Sequence, residues 1–176
     1  SKGDDFLNII RSSFSIDNSK FENVLFDALD SDFSKGTVSN SSFSSVGNDA
    51  LDFSGSEVVL NNLKINKVGD KAMSVGERSD IKASNISILN SYIGIASKDS
   101  SRVLVNNINF YNTEYIAAAY QKKPEFGPAS ISFDNSLVSE DTPIYIIGDN
   151  SIINFKEQGR VLSRTNEHLL KSVTAR

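Results

Sequence analysis

A period of 22 residues is what most restricts this chain. Rows of that length align Asp5, Asp27, Asp49, Lys71, Ile93 and Tyr115, and two places on Leu7, Leu29, Leu51, Met73, Ile95 and Ala117. The tetrapeptide DALD itself recurs, at Asp27 and at Asp49. An apolar column held through six rows marks a stacked repeat, one supersecondary unit laid on the next. A second column reads apolar-x-Asn-x-x-apolar: Ile16/Asn18/Phe21, Val38/Asn40/Phe43, Leu60/Asn62/Ile65, Ala83/Asn85/Ile88 and Val105/Asn107/Phe110. Its asparagines are spaced 22, 22, 23 and 22, with the extra residue near GERSD. Val24, Val46 and Val68 form a third column.

Inside each row the apolar residues alternate, as in Leu51/Phe53, Val58/Leu60, Leu63/Ile65, Ile86/Ile88 and Ile108/Phe110. Period-2 alternation broken by Gly, Asn, Ser and Asp predicts strands of three to five residues. Several short strands per row fit one coil of a parallel β-helix, each strand pairing with its equivalent one turn on, about 4.8 Å away. Like residues then stack, and asparagine amides can bond along the column. Leucine-rich repeats share the period but require a strict Leu register, which Phe, Ile, Val and Ser replace here. From Tyr115 to Pro143 the sixth row runs to 28 residues, the excess being YQKKPEFGP (Tyr120–Pro128). Solenoid insertions map to loops on one flank, often the binding flank. PIYIIG and SIINF read as the last strands. After Phe155 the pattern stops, and TNEHLLKSVTAR predicts a short helix with Thr165 at its N-cap and Leu169, Leu170 and Val173 on one side. It would cap an open solenoid end or dock a partner.

The rows over roughly residues 4–155 resemble the right-handed parallel β-helix superfamily, the pectate-lyase-like fold. GDKAMSVGERS, IGIASKDSS and AAAYQKKPEFG look like β-helix domains of bacterial exported or surface proteins. The expected fold is therefore all-β, a right-handed parallel β-helix of about six to seven coils spanning residues 1–155, with residues 156–176 as a helical cap or tail. The resemblance implies an extracellular or cell-surface location.

Composition bounds the partners. The chain of 176 residues carries 18 basic and 22 acidic residues, a net charge of -4. Residues 156–176 are +3, so the body is -7, and no basic stripe invites nucleic acid. No run is long and apolar enough for a membrane span, and the N-terminal SKGDDFLNII does not read as a signal peptide. With no Cys there are no disulfides or thiolate metal sites, and the single His168 argues against a His-rich metal site or a Ser/His/Asp triad.

If Leu51 and Phe53 point inward, simple alternation puts Ala28/Ala50/Ala72/Gly94/Ile116 and Asp30/Asp52/Ser74/Ala96/Ala118 in outer columns, a flat face suited to a sugar chain or a protein surface. Charged groups flank it. The lyase resemblance implies Ca²⁺ held by Asp30 and Asp52, with Asp52, Lys71, Glu77, Lys98 and Asp99 as candidate catalytic groups. An inverting hydrolase could pair Asp52 with Glu77 or Asp99. Tyr120, Lys122 and Lys123, entering the insertion, are candidate substrate contacts. The competing reading makes these charges turn residues and ion pairs between coils, such as Lys71 with Asp49 and Lys98 with Glu77. Three functions follow: a module that binds polysaccharide or another protein chain without catalysis, a polysaccharide lyase or hydrolase, and a homo-oligomeric spike whose small outer residues pack on sister chains.

Overall fold

The computed structural model describes residues 5–136, 144–156, 160–162 and 169–171. Strands β1 (Asp5–Ile10), β2 (Ser13–Asp17) and β3 (Lys20–Val24) form the first coil; β4 (Asp27–Asp32), β5 (Lys35–Ser39) and β6 (Ser42–Val46) form the second. After β7 (Leu51–Ser54), three long strands run through successive corners: β8 (Glu57–Gly76), β9 (Asp80–Lys98) and β10 (Arg102–Tyr120). The last coils are β11 (Ser130–Asp134), β12 (Ile144–Ile147) and β13 (Ile152–Phe155), closed by β14 (Arg160–Leu162). Every pairing is parallel except β13 with β14. The result is the expected parallel β-helix, of about six turns.

Its three sheets run along the axis. Sheet one stacks β1, β4 and β7 on the ends of β8, β9 and β10 and on β12; sheet two stacks β2 and β5 on the starts of those long strands and on β11 and β13; sheet three stacks β3 and β6 on their middles. Left-handed backbone makes the corners. The asparagine column sits at the corner from sheet two to sheet three, with φ from 47° to 57° at Asn18, Asn40, Asn62, Asn85, Asn107 and Asn135. Asn tolerates this region better than other side chains. Amides do ladder, Asn62 to Asn40 (2.8 Å) and Asn107 to Asn85 (2.8 Å), but Asn85 turns to Asn61 Oδ1 (3.0 Å). Asn23, Ser45, Lys67, Asn90 and Asn112 turn the chain again before sheet one. The corner from sheet one to sheet two uses one left-handed residue in early coils (Arg11, Phe33, Gly55) and two in later ones (Glu77–Arg78, Asp99–Ser100). This is where the extra residue near GERSD resides.

A column absent from the sequence reading staples that corner. The Ser12 N–H donates to Ser34 Oγ (2.9 Å), Ser34 to Ser56 (3.0 Å), Ser56 to Ser79 (3.0 Å) and Ser79 to Ser101 (3.1 Å). Each hydroxyl satisfies a backbone donor that the bend would otherwise orphan.

The core fills the triangular interior, with Phe21 stacked on Phe43 (4.7 Å) and Phe133 on Phe155 (5.0 Å). One expectation fails here. Ala28, Ala50, Ala72 and Ile116 lie in the core beside Leu29, Leu51 and Met73, and a Cβ on Gly94 would run into Phe110 and the Ile116 carbonyl. The strand register breaks at this point, between Val68 and Lys71 and again between Tyr115 and Ala117. Such an irregularity puts consecutive residues on one face, so alternation assigns the wrong side.

At the C-terminal end residues 169–171 are helical, and Leu169 and Leu170 pack on an outer apolar cluster of Ile93, Ala96, Tyr115, Ala118, Tyr120 and Ile146. The proposed N-cap Thr165 lies outside the described residues. Among the described residues no helix is long and apolar enough to cross a membrane.

Two substitutions test this packing by urea denaturation. Ser56→Ala, which orphans the Ser34 amide, should cost about 1–3 kcal/mol. Ala50→Leu should cost a similar amount, about 1–3 kcal/mol, by overpacking while leaving the mass in solution unchanged; a change of mass with undiminished stability would return this column to the surface.

Candidate functional site

The outer face of sheet one carries three polar columns in its early coils. Asp27, Asp49 and Lys71 begin the first, Asp30, Asp52 and Ser74 the second, and Asp32, Ser54 and Gly76 the third. Further along the axis the same columns become Ile93 and Tyr115, then Ala96, Ala118 and Ile146, then Lys98 and Tyr120. The face thus passes from acidic to apolar, and its apolar end lies under Leu169 and Leu170.

At the acidic end the recurring DALD is a staple. Asp27 Oδ1 accepts the Asp49 N–H (2.8 Å) and the Asn48 amide (2.6 Å), and Asp49 Oδ1 accepts the Lys71 N–H (2.9 Å). The Lys71 ammonium is buried between Asp49 (3.5 Å) and Asp70, with which it hydrogen-bonds. The expected Lys71–Asp49 pair is present. Two carboxylates share one ammonium, leaving a surplus negative charge in a dry place, and Asp70 Oδ1 has no hydrogen-bond partner. Burial first, then Asp52, Asp70 and Asp27, push the Asp49 carboxyl up to about 7 against the pull of Lys71. Burial would lower Lys71, yet Asp49 and Asp70 hold it above the ordinary lysine value. Asp30, stacked on Asp52, is likewise pushed up to about 7, by burial and then by Asp32, Asp52, Asp5 and Asp27, although Asn8 donates to it (2.8 Å). For the suggested Ca²⁺ site, Asp30 and Asp52 are neighbours, but among the described residues no group of three or more His, Cys, Asp or Glu side chains is placed to hold a metal.

Along the flank the insertion, residues 121–128, is latched to the doubled corner. Asp99, only 2% exposed, accepts the N–H groups of Lys122 (2.6 Å) and Lys123 (2.7 Å) on one oxygen. The Ser100 hydroxyl accepts the Gly127 N–H (2.6 Å), and the Ser100 N–H donates back to the Gly127 carbonyl (2.9 Å). Glu77 pairs with Lys123, and the Arg78 guanidinium lies over the Phe126 ring (5.3 Å). Gln121 bonds the carbonyls of Lys123, Pro124 and Phe126 from within.

Three expectations change as a result. Glu77 pairs with Lys123 rather than Lys98, because the left-handed corner turns it to the loop. Lys98 reaches down to Ser74 Oγ (2.8 Å). Asp99 is buried and committed to backbone amides, so its carboxylate is not open to a water or substrate as a hydrolase partner of Asp52 would be. Tyr120, 1% exposed, is packed into the outer apolar cluster rather than presenting a stacking platform, and burial followed by Asp70 and Asp49 raises its phenol. Lys122 is lowered by burial and then by Lys98 and Lys71, with Asp99 and Asp52 opposing, so these groups lie within electrostatic reach of its ammonium. The residues brought together are therefore Asp52, Ser74, Lys98 and the Asp49–Lys71–Asp70 group, with the exposed Lys122 of the loop in electrostatic reach of them.

The chain matches the family described as right handed beta helix region over residues 7–172, and it belongs to that family. No curated protein and no solved structure matches it.

The acidic group predicts an unusual pH response. Asp30 and Asp49 keep their protons in the folded chain up to about 7, whereas the unfolded chain loses them near 3.8. The folded state then binds more protons across that window, so this contribution to stability is complete below it and is lost as pH rises through it. Melting temperature should fall between pH 5 and pH 8, and Asp49→Asn, which keeps an acceptor for the Lys71 amide, should flatten the slope. Identical slopes in wild type and variant would show that Asp49 titrates normally.

Proposed function

We propose that this chain is a β-helical module of an exported or cell-surface protein that holds a polysaccharide along the outer face of sheet one. The carrying observation is that this face keeps half-buried acceptors in register, Asp30 and Asp52 beside Asp32 and Ser54, with the Lys98 ammonium anchored on Ser74 next to them, between a latched loop and an apolar end. Groups repeating at the coil spacing of about 4.8 Å suit a ligand that itself repeats on the scale of a sugar ring. Carboxylates accept from sugar hydroxyls, while Lys98 and Lys122 add donors. The export part of the reading rests on the resemblance of the GDKAMSVGERS, IGIASKDSS and AAAYQKKPEFG strings. The homo-oligomeric spike loses part of its support, since Ala28, Ala50 and Ala72, meant to meet sister chains, are in the core.

The electrostatic setting of Lys122 favours a second reading. An amine lowered by burial and by two lysines is suited to act as a base in β-elimination, the lyase alternative. Affinity electrophoresis through gels of xylan, chitosan and polygalacturonate separates the readings when run with assays for new reducing and unsaturated ends. Retardation without product supports the module, and Asp52→Ala or Lys98→Ala should weaken it about tenfold, as for loss of a charged hydrogen bond. Product of either kind would favour the enzyme. No retardation of the folded protein by any gel would remove the polysaccharide reading.

A further inference from the structure

The insertion lies against a doubled corner, yet among the described residues it adds no side chain to the hydrophobic interior. Loops of this kind are ordinarily mobile because their backbone groups are satisfied by water. Here the opposite holds. Two of its amide hydrogens end on a single carboxylate oxygen that is almost wholly buried, a third ends on the Ser100 hydroxyl, and both ends of the segment return to the corner. Asp99 and Ser100 have left-handed φ values of 56° and 64°, which turn their side chains off the ladder and toward the loop. The two charged contacts, Glu77 with Lys123 and Arg78 over Phe126, are partly open to solvent; the Asp99 contact is the sealed one.

We infer that Asp99 is a positioning residue of the binding face: it fixes the 121–128 loop as a rigid wall and thereby fixes the points from which the Lys122 and Lys123 side chains leave the backbone. This rests on the reading of sheet one as a polysaccharide-binding face. The carboxylate does not touch the ligand. It acts by selecting one backbone conformation for Lys122 and Lys123, so the ordering of the loop is complete before ligand arrives and does not weaken binding. Neutralising it would leave two part-buried N–H groups facing an uncharged acceptor at best, and the wall would open.

The test compares wild type with Asp99→Asn and Asp99→Ala. Asn keeps one acceptor and tolerates the left-handed corner, so it guards against loss of fold in the Ala variant; circular dichroism checks both. Three readouts are taken: amide exchange across residues 121–128, the titration of Lys122 after ¹³C reductive methylation, and affinity for xylohexaose and hexagalacturonate as neutral and acidic probes. The inference expects faster exchange at Lys122, Lys123 and Gly127, a Lys122 titration that returns toward the ordinary lysine value, and affinity for whichever probe wild type binds reduced about tenfold, a loss of the size expected for charged hydrogen bonds. Exchange and titration that match wild type in both variants would overturn it. So would a loosened loop with undiminished affinity, and that result would leave the polysaccharide reading standing. If wild type binds neither probe, that reading fails and the role of Asp99 in it fails too.

Discussion

Each coil of this protein is held by the backbone of the next, and the rest of the structure follows from that contact. Hydrogen bonds run along the axis even at the corners, as in Arg11 N–H to the Asp32 carbonyl (2.8 Å), Phe33 to Ser54 (2.8 Å) and Asn40 to Asn61 (3.1 Å). A left-handed residue keeps its N–H in the axial direction while the chain changes sheets, so bends need not interrupt the ladder. Register is then strict, and every side chain has a fixed neighbour above and below it.

Strict register makes charge placement consequential. On sheet two, three stacked pairs have opposite sign, Lys35 with Glu57 (3.0 Å), Asp80 with Arg102, and Asp134 with Lys156 (3.5 Å), although Glu57 is also stacked on Asp80. These pairs relieve the column, as opposite charges across a ladder do. Sheet one does the reverse, stacking Asp30 on Asp52 and gathering Asp49 and Asp70 around a single lysine. A like-charge stack opposes folding at neutral pH; sheet two flanks Glu57 on Asp80 with Lys35 and Arg102, whereas sheet one stacks Asp30 on Asp52 between Asn8 and Ser74, with no cation in that column. That asymmetry singles out the sheet-one face. Its apolar continuation is covered by Leu169 and Leu170, and the latched loop walls its flank, so the exposed polar stretch is bounded on both sides.

The period, the parallel stacking, the asparagine corners and the place of the insertion were legible in the sequence because each repeats with the coil, and stacking rewards repetition. The serine column was equally legible, at Ser12, Ser34, Ser56, Ser79 and Ser101, but serine is common in this chain and the signal passed as turn composition. What alternation could not supply was the side of Ala50 and Ala72, since a local break in register sets two consecutive residues inward. Nor could it pair Glu77 correctly, because the partner depends on a left-handed corner and a loop 46 residues away.

Sequence alone therefore determined the architecture, a right-handed parallel β-helix whose repeat is written in every row. Only the tertiary structure decided which charges are structural and which face a ligand. Asp27, Asp49, Glu77 and Asp99 are chemically as good candidates as Asp52, and a row alignment treats them alike. Their difference lies in whether a backbone amide or an ammonium from another coil has already taken the carboxylate, and such pairings are set by distances across coils and by the loop's path, neither of which a periodic sequence records.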